Sequence, residues 1–162
     1  MKFILLSSDA NPKSYYWKLN AGGEPLFKSE VFDSFIGALR SIEAFHLGLS
    51  SLPVFDQDGQ RVAPVKSKPE FPPSLFVHLA QDEDSSWRWE LCTRDGIPLT
   101  SLGPYETRDQ AIGYARSYVQ DLYSEAAVTD ENGVMPPVIS FTRRYRETFG
   151  IFDTHPSASS NY

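Results

Sequence analysis

The chain has 162 residues but only one cysteine, Cys92, and its 21 acidic side chains outnumber its 15 basic ones for a formal charge of −6. A single thiol closes no internal bridge and supplies neither a Cys-x-x-Cys redox pair nor a thiolate metal shell, so a reducing, cytoplasmic setting is expected. The histidines are equally sparse: His46, His78 and His155 contain no pair spaced one helical turn apart, the spacing that puts two imidazoles on one metal. Long apolar runs are missing as well. The run at Phe3-Ile4-Leu5-Leu6 stops at four residues, whereas a signal peptide needs about 7–15 and a membrane span about 20. No membrane partner is therefore expected, and the acidic average surface repels phosphate backbones unless a locally basic patch intervenes.

What the chain does contain is a repeat. Phe3-Ile4-Leu5-Leu6 aligns with Phe76-Val77-His78-Leu79 at a spacing of 73, and Tyr15-Tyr16-Trp17-Lys18-Leu19 with Trp87-Arg88-Trp89-Glu90-Leu91 at 72. Phe32 then meets Tyr105, Ala38 meets Ala111 and Phe45 meets Tyr118, all at 73. Aromatics thus fall opposite aromatics along most of the register. The spacing divides the chain into unit 1 (1–65), a proline-rich linker (66–73), unit 2 (74–139) and a C-terminal Arg/aromatic segment with a Ser-rich tail (140–162).

Both units carry the same local signals. Trp87, Trp89 and Leu91 alternate with Arg88, Glu90 and Cys92, the period of a half-buried strand; by the same reasoning Cys92 falls on the face away from the core. Ala21-Gly22-Gly23 and Arg94-Asp95-Gly96 supply hairpin turns, with third strands expected near 25–29 and 97–101. Ser34 or Asp33 caps one helix, which Gly48 stops, and Thr107 caps another. Phe35, Ala38, Leu39, Ile42 and Phe45 form the buried stripe of the first helix, and Ala111, Ala115, Tyr118 and Leu122 that of the second. A strand follows each helix (53–56 and 126–130), then Asp58-Gly59 or Asn132-Gly133 turns the chain into a returning strand. The fold class is α+β: a tandem duplication of a β-meander–helix–strand unit, helices packed on one face of antiparallel sheet. Trp17, Trp89, Leu19, Leu91, Phe45 and Tyr118 are its expected core.

The string Leu19-Asn20-Ala21-Gly22-Gly23-Glu24-Pro25-Leu26-Phe27-Lys28-Ser29-Glu30-Val31-Phe32 resembles the YegP-like family of small tandem-repeat proteins. The likeness spans roughly residues 1–56 and, more weakly, 74–130. It implies a three-stranded meander, a helix and a further strand in each of two copies. The family offers no catalytic residues to carry over.

Chemistry-bearing patterns are few. Asp56-Gln57-Asp58-Gly59 and Asp130-Glu131-Asn132-Gly133 look superficially like calcium loops, but with the glycine at the sixth position the first and twelfth would be Val54 and Val65, or Val128 and Ile139, none an oxygen donor. No catalytic residue, cofactor or metal site is expected. Two groups remain as candidate partner-binding residues. One is the polar face of the second strand of each unit, Tyr16 and Lys18 with Arg88. The other is the segment 141–152, where three arginines against one glutamate give +2: Arg143, Arg144, Tyr145, Arg146 and Phe149. Arginine with aromatics is the composition of interface hot spots, and also of single-strand nucleic-acid contacts. The segment could equally close the core of its own chain. The expected function is a non-enzymatic protein-interaction module, binding a protein partner or itself, with nucleic-acid or phosphorylated-ligand binding through 141–152 as the alternative.

Overall fold

The computed structural model describes residues 1–21, 23–49, 52–62 and 75–152; the linker 66–73, the returning Pro64 and the tail with His155 lie outside them. Strands β1 (Lys2–Ser7), β2 (Tyr15–Ala21) and β3 (Glu24–Lys28) form an antiparallel meander, followed by helix α1 (Phe35–Gly48) and the two-residue strand β4 (Val54–Phe55). Strands β5 (Leu75–Gln81), β6 (Trp87–Thr93) and β7 (Pro98–Tyr105) form a second meander, followed by α2 (Arg108–Glu125) and β8 (Ala127–Asp130). A 3-10 turn (Val138–Ser140) and helix α3 (Arg143–Phe149) complete the described chain. The class is α+β, with two sheets dominated by antiparallel pairing.

The last strands cross over. Strand β8 lies parallel to β1, giving one sheet the order β3-β2-β1-β8, and β4 lies parallel to β5, giving the other the order β4-β5-β6-β7. Each half of the chain therefore donates its final strand to the other half's sheet. The sequence suggested a compact pair of units joined by a short connector, and the last strand of each half pairs across that division.

Local chemistry explains the elements. Ser34 Oγ accepts from the Gly37 N–H at 3.0 Å, and Thr107 Oγ1 from the Gln110 N–H at 3.2 Å, so both helices begin at the hydroxyl cap expected of them. Gly48 is the last residue of α1, but the cap after it is Leu49 in right-handed geometry (φ −61°), so the helix ends without a left-handed glycine. The two Asp-initiated turns differ from expectation in their sequel. Asp56 Oδ1 accepts from Asp58 and Gln60 N–H, and Asp130 Oδ1 from Asn132 and Val134 N–H. Each turn is closed by its aspartate; among the described residues the return of the first is seen as one bridge, Phe55 to Arg61, and no strand returns in the second before Pro136 and Pro137. The prolines lack the N–H that a ladder requires.

One core joins both sheets. Phe3, Trp17, Leu19, Val77, Trp89 and Leu91 are fully buried beneath Ala38, Leu39 and Ile42 of α1 and Ala111, Ala115 and Leu122 of α2. Tyr118 is only half-buried, its ring 5.1 Å from that of Trp89. Cys92 is buried, contrary to its assignment to an exposed strand face, and burial beside Glu90 pushes its thiol pKa up. The neutral thiol that results is a poor nucleophile.

Candidate functional site

The C-terminal segment docks onto a buried histidine. His46, on the face of α1 one turn beyond Ile42, is fully buried, with Nε2 2.6 Å from the Tyr123 carbonyl oxygen and Nδ1 2.7 Å from the Tyr145 hydroxyl. A carbonyl only accepts, so Nε2 carries the proton and donates to it; Nδ1 then accepts from Tyr145 O–H. This tautomer satisfies both nitrogens of a neutral ring. Phe149 stacks on the imidazole at 3.8 Å, and Phe3 tilts against it at 5.1 Å. Burial lowers the His46 pKa to about 4, the Tyr123 carbonyl opposing only part of that effect. Burial, then the nearby Glu43, pushes Tyr145 up.

Glu43, also buried on α1, secures the start of the same segment. Its Oε1 accepts from the Thr142 N–H at 2.7 Å and meets Arg40 Nη1 at 3.1 Å, while Arg40 Nη1 also donates to the Ser140 carbonyl at 2.9 Å. Tyr145, named from sequence as a partner contact, is thus an interior residue, 1 % exposed, whose hydroxyl is already engaged. Phe149 is half-buried against His46 and Tyr123. Arg143 and Arg144 are exposed and Arg146 is half-buried. Arg143 Nε is held by Glu147 Oε1 at 2.7 Å.

On the second sheet, Arg88 is paired with both Asp82 and Glu90, and Glu90 Oε2 lies 3.8 Å from His78 Nδ1. The charge of Arg88 is therefore matched within its own surface.

The first sheet is different. Phe3, Leu5, Trp17 and Leu19 face the core, so the alternating residues Lys2, Ile4 and Leu6 of β1 and Tyr16, Lys18 and Asn20 of β2 share the outer face. Lys28 of β3 stands directly opposite Lys18. The Tyr16 ring lies beneath both ammonium groups, 4.8 Å from Lys28 Nζ and 5.9 Å from Lys18 Nζ. Among the described residues, neither lysine has a carboxylate within 4.0 Å. Lys28 and Lys2 were not singled out in the sequence. For Lys28 the cause is a register shift between Leu19 and Asn20: counted straight back from the Glu24–Ala21 pair, Lys18 would meet Phe27.

A cleft of about 400 Å3 opens between α1 and the inner side of β2–β3, lined by Trp17, Phe27, Phe32, Phe45 and Leu49. Its two serines are committed to Trp17, Ser29 Oγ accepting from the backbone N–H at 2.9 Å and Ser41 Oγ from the indole N–H at 3.1 Å.

No family model and no curated protein matches the sequence. A solved structure similar to the chain is the NMR structure of YegP from E. coli, a protein of unknown function, at 17 % identity over 80 % of this chain and 90 % of that one, with a TM-score of 0.35. It bears the name of the family that the string at residues 19–32 resembles.

Proposed function

We propose that the chain is a non-enzymatic interaction module, a duplicated small scaffold in the cytoplasm, that takes an acidic segment of a protein partner on the outer face of its first sheet. One observation supports this above the others: Lys18 and Lys28 stand directly opposite on adjacent strands, with no carboxylate within 4.0 Å among the described residues, in a chain of net charge −6. Like charges directly opposite across strands destabilise a sheet. An incoming carboxylate removes that repulsion, and the partly exposed Ile4 and Leu6 beside it give apolar contact. A second reading, single-stranded nucleic acid on the same face, draws on the Tyr16 ring between two cations, an arrangement suited to stacking a base beside a phosphate.

The test is a binding titration with a fluorescently labelled glutamate-rich peptide, and in parallel a labelled single-stranded oligonucleotide, at low salt. The protein binds the peptide, and Lys18→Glu/Lys28→Glu weakens it at least tenfold. Unchanged affinity in the double variant contradicts the proposal, and preference for the oligonucleotide transfers it to the second reading.

A further inference from the structure

The cleft beside Trp17 has a counterpart elsewhere in the molecule, and there an aromatic ring covers it. Counted at the spacing of 73, Phe32, Ser41 and Phe45 correspond to Tyr105, Tyr114 and Tyr118. The packing follows the count: the Phe45 ring lies 5.0 Å from that of Trp17, and the Tyr118 ring 5.1 Å from that of Trp89. Tyr114 stacks its ring on Tyr105, with centroids 4.9 Å apart and planes at 16°. Ser41 has no ring to lay on Phe32, and both residues line the cleft. The indoles register the same exchange. Trp17 Nε1 donates to Ser41 Oγ at 3.1 Å, whereas Trp89 Nε1 has no acceptor among the described residues. Helix α2 packs on β5, β6 and β7, while α1 makes its main contacts with β1 and β2, leaving the β3 side of α1 open.

The charged residues of the cleft select what an incoming ring carries. Glu30 and Arg94 line it, both exposed. Arg94 already has a partner. The Glu30 carboxylate, in contrast, enters no ion pair and accepts no hydrogen bond among the described residues. A cation relieves that carboxylate, and aromatic walls are compatible with a cation nearby.

We propose that the cleft binds a small arylalkylamine, its flat ring seated on Phe32 as Tyr114 is on Tyr105, and its ammonium group paired with Glu30. The cleft's volume of about 400 Å3 falls within the range of small-ligand pockets, about 300–1,000 Å3. The site lies on the inner side of the first sheet, opposite the lysine face, and does not depend on it.

The probe is 2-phenylethylamine, titrated into the full-length 15N-labelled protein and followed by the Trp17 indole N–H and the backbone amides of β3 and α1. Two compounds of similar size are compared with it: 3-phenylpropionate, which reverses the charge, and 2-cyclohexylethylamine, which keeps the charge but is not flat. Saturable shifts confined to the cleft are expected with the probe, weaker binding by at least threefold with the cyclohexyl amine, and none with the carboxylate. Ser41→Tyr, which supplies the ring from within the chain, abolishes binding, and Glu30→Gln weakens it at least fivefold. Should Ser41→Tyr lose its dispersed spectrum, Glu30→Gln, at an exposed position, decides. The assignment is overturned by absent or unsaturable shifts, by either comparison compound binding as tightly as the probe, or by wild-type affinity in either folded variant.

Discussion

His46 is the residue on which the C-terminal segment turns. Because its pKa falls from 6.5 to about 4 on folding, the unfolded chain takes up the proton first as the solution is acidified. The stability gained from keeping the ring neutral is complete above pH 6.5, declines between 6.5 and 4, and is gone below about 4. The difference corresponds to about 3 kcal/mol. Urea midpoints compared across this interval should therefore fall more steeply in the wild type than in His46→Gln, and parallel slopes would show that His46 is not buried neutral. How much of this was legible differs by partner. The position of His46 four residues after Ile42 places it on the helix face that the apolar stripe defines. Its hydroxyl partner, Tyr145, lies 99 residues away, and no periodicity connects two positions so far apart. The same limit explains Tyr145 itself: Arg and aromatic composition suits an exposed contact and a closing helix alike, and only the packing against Phe141, Phe149 and His46 distinguishes them.

Among the elements, strands and helices follow their periodicity closely. The alternation at Trp87–Leu91 and the hydroxyl caps at Ser34 and Thr107 are local signals, and local signals were sufficient to place them. Register was not legible to the same degree, because the shift between Leu19 and Asn20 has no marker residue. Strand β7 shows another constraint hidden from the sequence. At Gly103 an added Cβ would lie 2.9 Å from Arg88 Cβ and 3.0 Å from the Trp87 carbonyl oxygen, so β6 and β7 pass too closely for a side chain. Gly103→Ala should destabilise by about 1–3 kcal/mol through this overpacking, read as a lowered denaturant midpoint with an unchanged slope; a wild-type midpoint would mean that the strands separate easily here. In contrast, Gly113, with nothing within 4 Å of an added Cβ, lies within α2, where alanine is the better helix former by about 1 kcal/mol.

At the scale of the whole molecule, the crossed strands make the halves interdependent. Unfolding the first half of the chain removes β4 from the second sheet, unfolding the second half removes β8 from the first sheet, and α3 ties residues 141–149 to α1 through His46 and Glu43. A single transition is expected in calorimetry, with calorimetric and van't Hoff enthalpies in agreement; two resolved transitions would mean that the halves fold separately. The crossing could not be read from the repeat, since a strand after a helix pairs equally well with its own meander or with its neighbour's. Charge is distributed as unevenly as structure. Arg88 is matched by Asp82 and Glu90 on one sheet, whereas the lysines opposite each other on the other sheet share the Tyr16 ring beneath them and, among the described residues, have no carboxylate within 4.0 Å. That asymmetry is what the proposed function rests on. The most direct measurement is a map of backbone amide shifts on adding the glutamate-rich peptide at low salt. The account predicts perturbations concentrated at Ile4, Leu6, Tyr16, Lys18 and Lys28 that fade as salt is raised; perturbations centred on β6 or on α3, with β1 to β3 unmoved, would contradict it.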